Sequence, residues 1–359
     1  MKAAKRSPFF DEMGIATTND APIVIAGPCS VESREQLLTV VGQLHAERRI
    51  SAVRCGVWKP RSRPGGFEGL GEEALGWIKE VKAQYPEVRF CCEVARPEHV
   101  ESCLRSGAID MVWIGARTTV NPFLVGELVA ALRGSRMTVL VKNPITPDIA
   151  LWVGAIERLR NAGLDDLVAV HRGFTTYNNM GYRNNPLWEI PIELKRRMPD
   201  LPLLCDPSHI GGRRDLVAPL AQQALDLHYD GLMIECHPDP DNALTDKAQQ
   251  LTPEALLCLL DGLQVRAHGT QGTDEMQRLR DQLDVIDGQV LELLALRMRI
   301  ASQIGHIKHE LNMPVFQPQR WQQVLSHQLD VGCKMGLSEQ FVRELMEKIH
   351  VESLRHQNE

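Results

Sequence analysis

The chain has 359 residues, 43% hydrophobic and 24% charged, a composition typical of folded globular proteins and too apolar for a large disordered tract. A formal net charge of −6 and a pI near 6.1 argue against nucleic acid as the main partner. No run of 18 apolar residues is present, which argues against a membrane partner or span. Nine cysteines without a CxxC pair, behind an N-terminal stretch that lacks an apolar signal region, predict a cytoplasmic protein with reduced thiols.

Eight short apolar runs between Pro22 and about Pro238 are candidate β-strands. In chain order they read PIVIAG, SAVRCG, VRFCCEV, MVWIG, TVLVK, LVAVH, LPLLCD and GLMIE. Helix-like stretches lie between them, so strands alternate with helices and a parallel sheet is predicted. Eight strand–helix units in roughly 240 residues is the size of an α/β protein of the (β/α)8 TIM-barrel type. A doubly wound open sheet is the alternative.

The strand pattern stops at the polar, glycine-rich segment QVRAHGTQGT, which we interpret as a linker over residues 264–273. The predicted domains are therefore a barrel over residues 1–263 and an all-α domain of three helices over residues 274–359. The first of these helices, capped by Thr273, runs to Pro314, and shorter helices follow near 319–331 and 338–357.

An apolar seam of coiled-coil type follows the long helix. Its members are Leu279, Leu283, Ile286, Val290, Leu293, Ile300, Ile304, Ile307 and Leu311. Two shorter helices cannot cover such a length alone, so the pattern predicts a homodimer that pairs the long helices.

Reactive side chains follow nearly every predicted strand, at the end where a barrel of this kind places its active site. Cys29, His209, Glu235 and Asp246 combine a thiol, an imidazole and two carboxylates, a set suited to Mn²⁺, Fe²⁺, Co²⁺ or Zn²⁺. A second, cationic set consists of Arg54, Lys59, Arg61, Arg117, Lys142 and Arg172. So much positive charge at one mouth indicates anionic ligands such as phosphates and a carboxylate.

Six motifs occur in order between Ala21 and about Gln250: AGPCS, KPRS, IGAR, VKNP, DPSH and GLMIE-CHPDPDNALTD. Through them the chain resembles the type I-beta group of 3-deoxy-D-arabino-heptulosonate 7-phosphate (DAHP) synthases, enzymes of the shikimate pathway. The resemblance implies a (β/α)8 barrel that condenses phosphoenolpyruvate with erythrose 4-phosphate and needs a divalent metal, with Mn²⁺ expected first. Two positions depart from the family pattern, because His171 stands where Glu is common and Arg63 where Ser is usual.

The resemblance also assigns residues to roles. It places the metal on Cys29, His209, Glu235 and Asp246, phosphoenolpyruvate on Arg54, Lys59, Arg117, Lys142 and Arg172, and erythrose 4-phosphate on Arg61 and Ser62. The expected catalytic residues are Lys59, Lys142, His209 and Glu93, and either Glu93 or a metal-bound water would orient the water that adds during the reaction. A 3-deoxy-D-manno-octulosonate 8-phosphate synthase is the alternative, but its motif usually reads Lys-Ala-Asn where this chain has Lys59-Pro60-Arg61.

A polar pocket is predicted between the three C-terminal helices. Arg297 interrupts the apolar seam, and Lys308 lies near the same face of the helix, where a charge is costly unless an anion meets it. In the last helix, Ser353 and Gln357 continue a stripe of otherwise apolar residues. A charged coiled-coil arm for dimerisation is the alternative that spacing alone leaves open.

Residues 274–359 resemble the all-helical type of chorismate mutase. The resemblance rests on Arg280, Arg297, Lys308, Arg320, Ser353 and Gln357, and implies binding of chorismate and its rearrangement to prephenate. It assigns catalysis to Arg297, Lys308 and Gln357 and takes Arg280 from the partner subunit. Gln317 and Trp321 stand where the family often has carboxylates. Fusion of the two activities suggests feedback inhibition by prephenate, and a helical domain that only dimerises or senses a ligand is the rival hypothesis.

Overall fold

The computed structural model describes residues 22–46, 49–59, 65–177, 181–265 and 274–358. The chain separates into two compact units, Met1–His268 and Gly269–Glu359. The predicted sugar-phosphate contacts Arg61 and Ser62 lie outside the described residues, as do the predicted helix cap Thr273 and most of the linker. The domain limits 1–263 and 274–359 stay predictions.

Eight parallel strands form a closed barrel in the first unit, in the order of the chain. The strands are β1 Ile23–Gly27, β2 Ala52–Cys55, β3 Phe90–Val94, β4 Met111–Ile114, β5 Thr138–Lys142, β6 Leu167–His171, β7 Leu203–Cys205 and β8 Gly231–Glu235. β1 pairs with both β2 and β8, which closes the sheet. Each strand coincides with one of the eight apolar runs, so the barrel prediction is confirmed and the open-sheet alternative is wrong.

Helices surround the barrel, and an additional short helix follows β4 and another follows β7. They are α1 Arg34–Ala46, α2 Glu72–Gln84, α3 Pro97–Ser106, α4 Ala116–Thr119, α5 Pro122–Leu132, α6 Ile149–Asn161, α7 Glu189–Arg197, α8 Pro207–Gly211, α9 Val217–Asp226 and α10 Pro253–Gly262. Several begin with a proline in the first turn and a polar residue before it, as where the Asn121 side chain accepts from the backbone of Phe123 and Leu124.

The strands are apolar on both faces because both faces are buried. Side chains that point to the barrel axis form one cluster, which includes Ala52, Trp113 and Met233, and the alternate side chains pack on the helices in a larger cluster. Continued with a period of two, this alternation places Arg54, Glu93, Lys142 and Glu235 on the inner face at the carboxyl ends of their strands.

The same alternation turns His171 away from the axis. Its ring is fully buried and packs against Phe174, Trp188 and Tyr229. Nε2 lies 2.7 Å from the Pro186 carbonyl oxygen, which can only accept, so Nε2 carries the hydrogen and Nδ1 accepts from the Tyr229 hydroxyl at 2.9 Å. The departure from the family pattern at this position therefore lies in the packing between β6 and the outer layer.

The second unit contains three helices, α11 Asp274–Glu310, α12 Pro318–Lys334 and α13 Glu339–Asn358. The three-helix prediction is confirmed. Gly305 lets α11 and α13 approach closely, since a Cβ there would lie 2.5 Å from the backbone oxygen of Gln357. The seam of α11 remains exposed within one chain, from 44% at Ile304 to 65% at Leu293.

Among the described helices, none has the length and apolar character needed to cross a membrane.

Candidate active sites

Four predicted metal ligands come together at the carboxyl ends of β1, β7 and β8. Ligand atoms of Cys29, Glu235 and Asp246 all lie within 4.8 Å of one another. His209 Nε2 lies beside them, 3.7 Å from Glu235 Oε1 and 3.8 Å from Asp246 Oδ2. One sulfur, one nitrogen and two carboxylates, gathered at this end of the barrel, form a donor set that fits a divalent transition metal.

The electrostatics of this group also fit a cation. Burial is the largest effect on His209 and lowers its pKa, which leaves the imidazole neutral, the form that coordinates a metal. Burial, followed by the nearby Glu235 carboxylate, raises the pKa of the Cys29 thiol to about 12. A cation beside the thiol would act in the opposite direction and favour the thiolate.

Residues behind the ligands hold them in place. Asp206 Oδ2 lies 2.8 Å from His209 Nδ1, on the side of the ring opposite the other ligands. Gln249 donates to Glu235 Oε2 at 2.6 Å and accepts from Arg183 at 2.6 Å, while Arg183 also pairs with Asp246 at 3.1 Å. This supporting shell, which orients ligands as in known metal sites, was missed in the sequence.

A pocket with several cations lies next to the ligand group. Its described lining includes Lys59, Arg117, Lys142, Arg172 and Arg183 together with Glu93, His209 and Asp246. Four of the predicted cations therefore share one space with two of the predicted metal ligands. Lys142 Nζ donates to Asp206 at 2.8 Å, and Lys59 Nζ donates to the Cys29 carbonyl at 2.9 Å. Both lysines are therefore held in place by residues of the candidate metal site.

Arg54 lies deeper than the other predicted cations. Its side chain is 1% exposed, donates to Glu235 Oε1 at 2.9 Å and stands over the Trp113 ring, 5.1 Å from the centroid. Burial opposes its charge, but Glu235 and Asp206 raise the Arg54 pKa overall. Nε and NH1 have no hydrogen-bond partner within the described residues, so this arginine retains donors for an anion.

Glu93 brings a carboxylate to the same pocket, as predicted. It projects from β3 over Gly115, where a Cβ would overlap Glu93 Oε1. Glycine is therefore required at 115 for the carboxylate to occupy this position. An acidic group among cations is placed to hold a proton or a water molecule rather than an anionic substrate.

A second pocket, of about 440 Å³, lies between the three C-terminal helices. Its described lining includes Arg297, Lys308, Arg320, Ser353 and Gln357, five of the six residues predicted to bind chorismate. The volume is within the range of small-molecule sites. Arg280 is exposed on α11 and is not part of this lining.

Two of the three Arg and Lys side chains in the described lining of this pocket are held by neutral partners. Arg297 donates to the Ser353 hydroxyl, and Lys308 donates to Gln357 Oε1 at 2.8 Å and to the Val315 carbonyl at 2.6 Å. Burial lowers the Arg297 pKa. No carboxylate is found among the described residues that line the pocket, so its charge is unbalanced and suits an anionic ligand.

Comparisons with known proteins agree with this division. Residues 4–268 match the family model described as "DAHP synthetase I family", and residues 279–358 match the model described as "Chorismate mutase type II". A curated phospho-2-dehydro-3-deoxyheptonate aldolase from Thermotoga maritima is 32% identical over 262 residues, which span 73% of this chain and 71% of the relative. A 2-dehydro-3-deoxyphosphooctonate aldolase from Synechococcus sp. is 27% identical and spans 65% of this chain and 85% of the relative.

A solved structure shows a similar fold. The crystal structure of the Thermotoga maritima DAHP synthase superposes with a TM-score of 0.60 at 31% sequence identity and covers 73% of this chain and 70% of the other.

Proposed function

The chain belongs to the DAHP synthetase I family and carries a chorismate mutase type II domain, and from this we propose a bifunctional enzyme of aromatic amino acid biosynthesis with two defined reactions. The barrel condenses phosphoenolpyruvate with erythrose 4-phosphate to give DAHP and phosphate. The helical unit rearranges chorismate to prephenate.

The observation that carries the first reaction is the meeting of Cys29, His209, Glu235 and Asp246 with a pocket of cations at one end of the barrel. Both substrates are phosphates, and phosphoenolpyruvate has a carboxylate as well. Lys59, Arg117, Lys142 and Arg172 bind these anions and hold the enol carbon against the aldehyde, which removes much of the entropic barrier. Arg54, which lies deeper in the barrel, donates to the same anions through Nε and NH1.

Cys29, His209, Glu235 and Asp246 would hold a divalent metal, Mn²⁺ in the first instance, which would supply a Lewis acid for the aldehyde oxygen. The Glu93 carboxylate orients the water that adds to the former enol carbon. Arg61 and Ser62 hold the phosphate of the sugar. Lys59 and Lys142, bound to backbone and carboxylate partners, remain positioned while phosphate departs.

The second reaction needs no acid or base, because the rearrangement of chorismate proceeds through one cyclic transition state. A preorganised cationic pocket suffices to bind the two carboxylates in a folded conformation and to stabilise charge on the ether oxygen. Arg297, Lys308 and Gln357 act on the reacting atoms, and Arg320 and Ser353 support binding.

We further infer a homodimer in which α11 pairs with its copy and delivers Arg280 to the partner's pocket. The support is the exposed apolar seam of α11, which is too long and too apolar to face water. Prephenate bound in the helical unit is proposed to inhibit the barrel. A cytoplasmic location is supported by nine free thiols, seven of them buried.

Two alternatives carry different expectations. An octulosonate 8-phosphate synthase would prefer arabinose 5-phosphate over erythrose 4-phosphate, and the Pro60-Arg61 sequence favours the shorter sugar. A helical unit that only dimerises or senses a ligand would leave chorismate unchanged, and the cations fixed in its pocket argue for catalysis.

One crossed experiment tests the proposal. The full-length protein is assayed for phosphate release from phosphoenolpyruvate with either sugar phosphate, and for chorismate consumption, before and after chelation. We expect erythrose 4-phosphate to be used, condensation to require re-added Mn²⁺, and rearrangement to be indifferent to the chelator. Condensation that persists without metal, or chorismate that is not consumed, contradicts the respective half.

A further inference from the structure

Two rings in the helical pocket stack across neighbouring helices. The imidazole of His350 on α13 lies parallel to the Trp321 indole on α12, with an interplanar angle of 11° and centroids 4.0 Å apart. Phe316 contacts the imidazole with centroids 5.7 Å apart and a tilt of 54°. The plane of the imidazole is therefore fixed by aromatic contacts from the segment that begins α12.

His350 belongs to the same helix face as the residues that hold the pocket cations. It lies one turn before Ser353 and two turns before Gln357, and all three line the pocket. Its Nε2 is buried and has no hydrogen-bond partner within the described residues. A fixed ring with an unused polar atom in a ligand pocket points to a hydrogen bond that only a ligand completes.

The charge state of the His350 imidazole indicates which chemical group of a ligand it can bind. Burial, together with Arg297 and Lys308 nearby, lowers the His350 pKa, so the imidazole is neutral at physiological pH. A neutral imidazole offers one donor and one acceptor, which matches a hydroxyl group. The anionic groups of a ligand are better served by Arg297, Lys308 and Arg320.

We propose that His350, held flat by Trp321, is a specificity-determining residue that binds the ring hydroxyl of the substrate. The pocket then selects a dicarboxylate whose ring bears a hydroxyl over one that lacks it. This inference rests on the proposed mutase function, since chorismate has two carboxylates, an ether oxygen and one ring hydroxyl.

The test uses full-length protein and two probes, chorismate and an analogue in which hydrogen replaces the ring hydroxyl. The variant His350→Leu removes the polar atoms and keeps a large apolar side chain. We expect it to lower kcat/KM for chorismate by about tenfold and to change that for the analogue by less than about twofold. His350→Gln, which retains a donor and an acceptor, should restore part of the preference.

A purely structural role predicts a different pattern. If His350→Leu lowers kcat/KM equally for both probes, or leaves both unchanged, the imidazole does not bind the hydroxyl and the inference is overturned. Should the leucine variant fail to fold, the variants Trp321→Phe and Trp321→Ala decide the question. If Trp321→Ala loses the preference for chorismate over the analogue and Trp321→Phe keeps it, the result supports a His350 ring that is held by stacking. A preference unchanged in both variants refutes it. If the wild type consumes neither probe, the proposed mutase function fails and this inference with it.

Discussion

The Asp206 carboxylate lies 2.8 Å from Nδ1 of His209, directly behind the ring that faces Glu235 and Asp246. The same oxygen, Oδ2, accepts from Lys142 Nζ at 2.8 Å. Asp206 is fully buried, and although burial opposes its charge, His209 and Lys142 hold the pKa of that carboxyl well below its usual range. One ionised carboxylate thus connects the candidate metal ligands to the candidate substrate cations.

Replacing Asp206 with Asn should weaken metal binding by about 10- to 100-fold, because the amide orients the imidazole less strongly and makes it less basic. Titration of the metal-free protein with Mn²⁺, followed by recovery of condensation, measures the change. Asp261→Asn is the matched control, since Asp261 is an exposed partner of Arg49. Wild-type metal affinity in the Asp206→Asn variant would show that Asp206 does not support the ligand.

Removing the thiol ligand should separate the two activities. Cys29→Ala deletes one of the four candidate donors, so we expect loss of condensation by more than about 100-fold and unchanged chorismate consumption. Cys258→Ala, at an exposed thiol on α10, is the control and should retain both activities. Metal-dependent condensation that survives in the Cys29 variant would contradict the ligand assignment.

The barrel and its ligand group could be predicted because their signals are local in the sequence. A buried strand is a short apolar run, and its last residues meet those of the other strands at one end, so Cys29, Glu235 and Lys142 could be placed together without knowledge of distances. The three C-terminal helices could be predicted as well, because the apolar seam and the position of Pro314 are also local features of the sequence.

The supporting residues could not be found by this route. Arg183 follows no strand and reaches Asp246 because its loop folds back, with Phe174 paired to Asn185 in an isolated bridge. His350 is a single polar residue in a helix, and only the stacking on Trp321 reveals its place. The periodicity of a sequence predicts strands and helices, but it does not predict which loop packs against which pocket. The signal available for Asp206 was its position in the DPSH motif beside His209.

Two glycines of α11 should respond in opposite directions to alanine. A Cβ at Gly305 would lie 2.6 Å from Cα of Gln357, so Gly305→Ala must displace α13 and destabilise the unit by roughly 1–3 kcal/mol. Chorismate consumption should fall with it. Nothing lies within 4 Å of a Cβ at Gly288, where alanine should stabilise the helix by about 1 kcal/mol. Thermal unfolding followed by circular dichroism compares the two, and equal stability would contradict the close approach.

Arg297→Ala should abolish most chorismate consumption and leave condensation intact. The guanidinium is held by Ser353 at the pocket wall, and its loss removes a cation from the site where the substrate carboxylates are proposed to bind. A decrease of about 100-fold or more in kcat/KM is expected. Arg299→Ala, two residues along the same helix and exposed, is the control. Rearrangement at the wild-type rate in the Arg297 variant would exclude this pocket as the site.

The barrel should lose stability in acid partly through His171. Burial lowers the pKa of its imidazole to about 3 from an ordinary value of 6.5. As the pH falls below 6.5, this histidine binds a proton in the unfolded chain but stays neutral in the folded chain. The free energy of unfolding therefore decreases between pH 6.5 and about pH 3. Above pH 6.5 the imidazole is neutral in both states, and His171 no longer lowers the free energy of unfolding. His171→Gln keeps a donor and an acceptor for Pro186 and Tyr229 but cannot titrate. The free energy of unfolding, measured with urea across this pH range, should therefore depend less on pH in the glutamine variant than in the wild type. The variant His228→Asn, at an exposed histidine, is the control and should behave like the wild type. Parallel curves for the glutamine variant and the wild type would contradict a buried neutral imidazole.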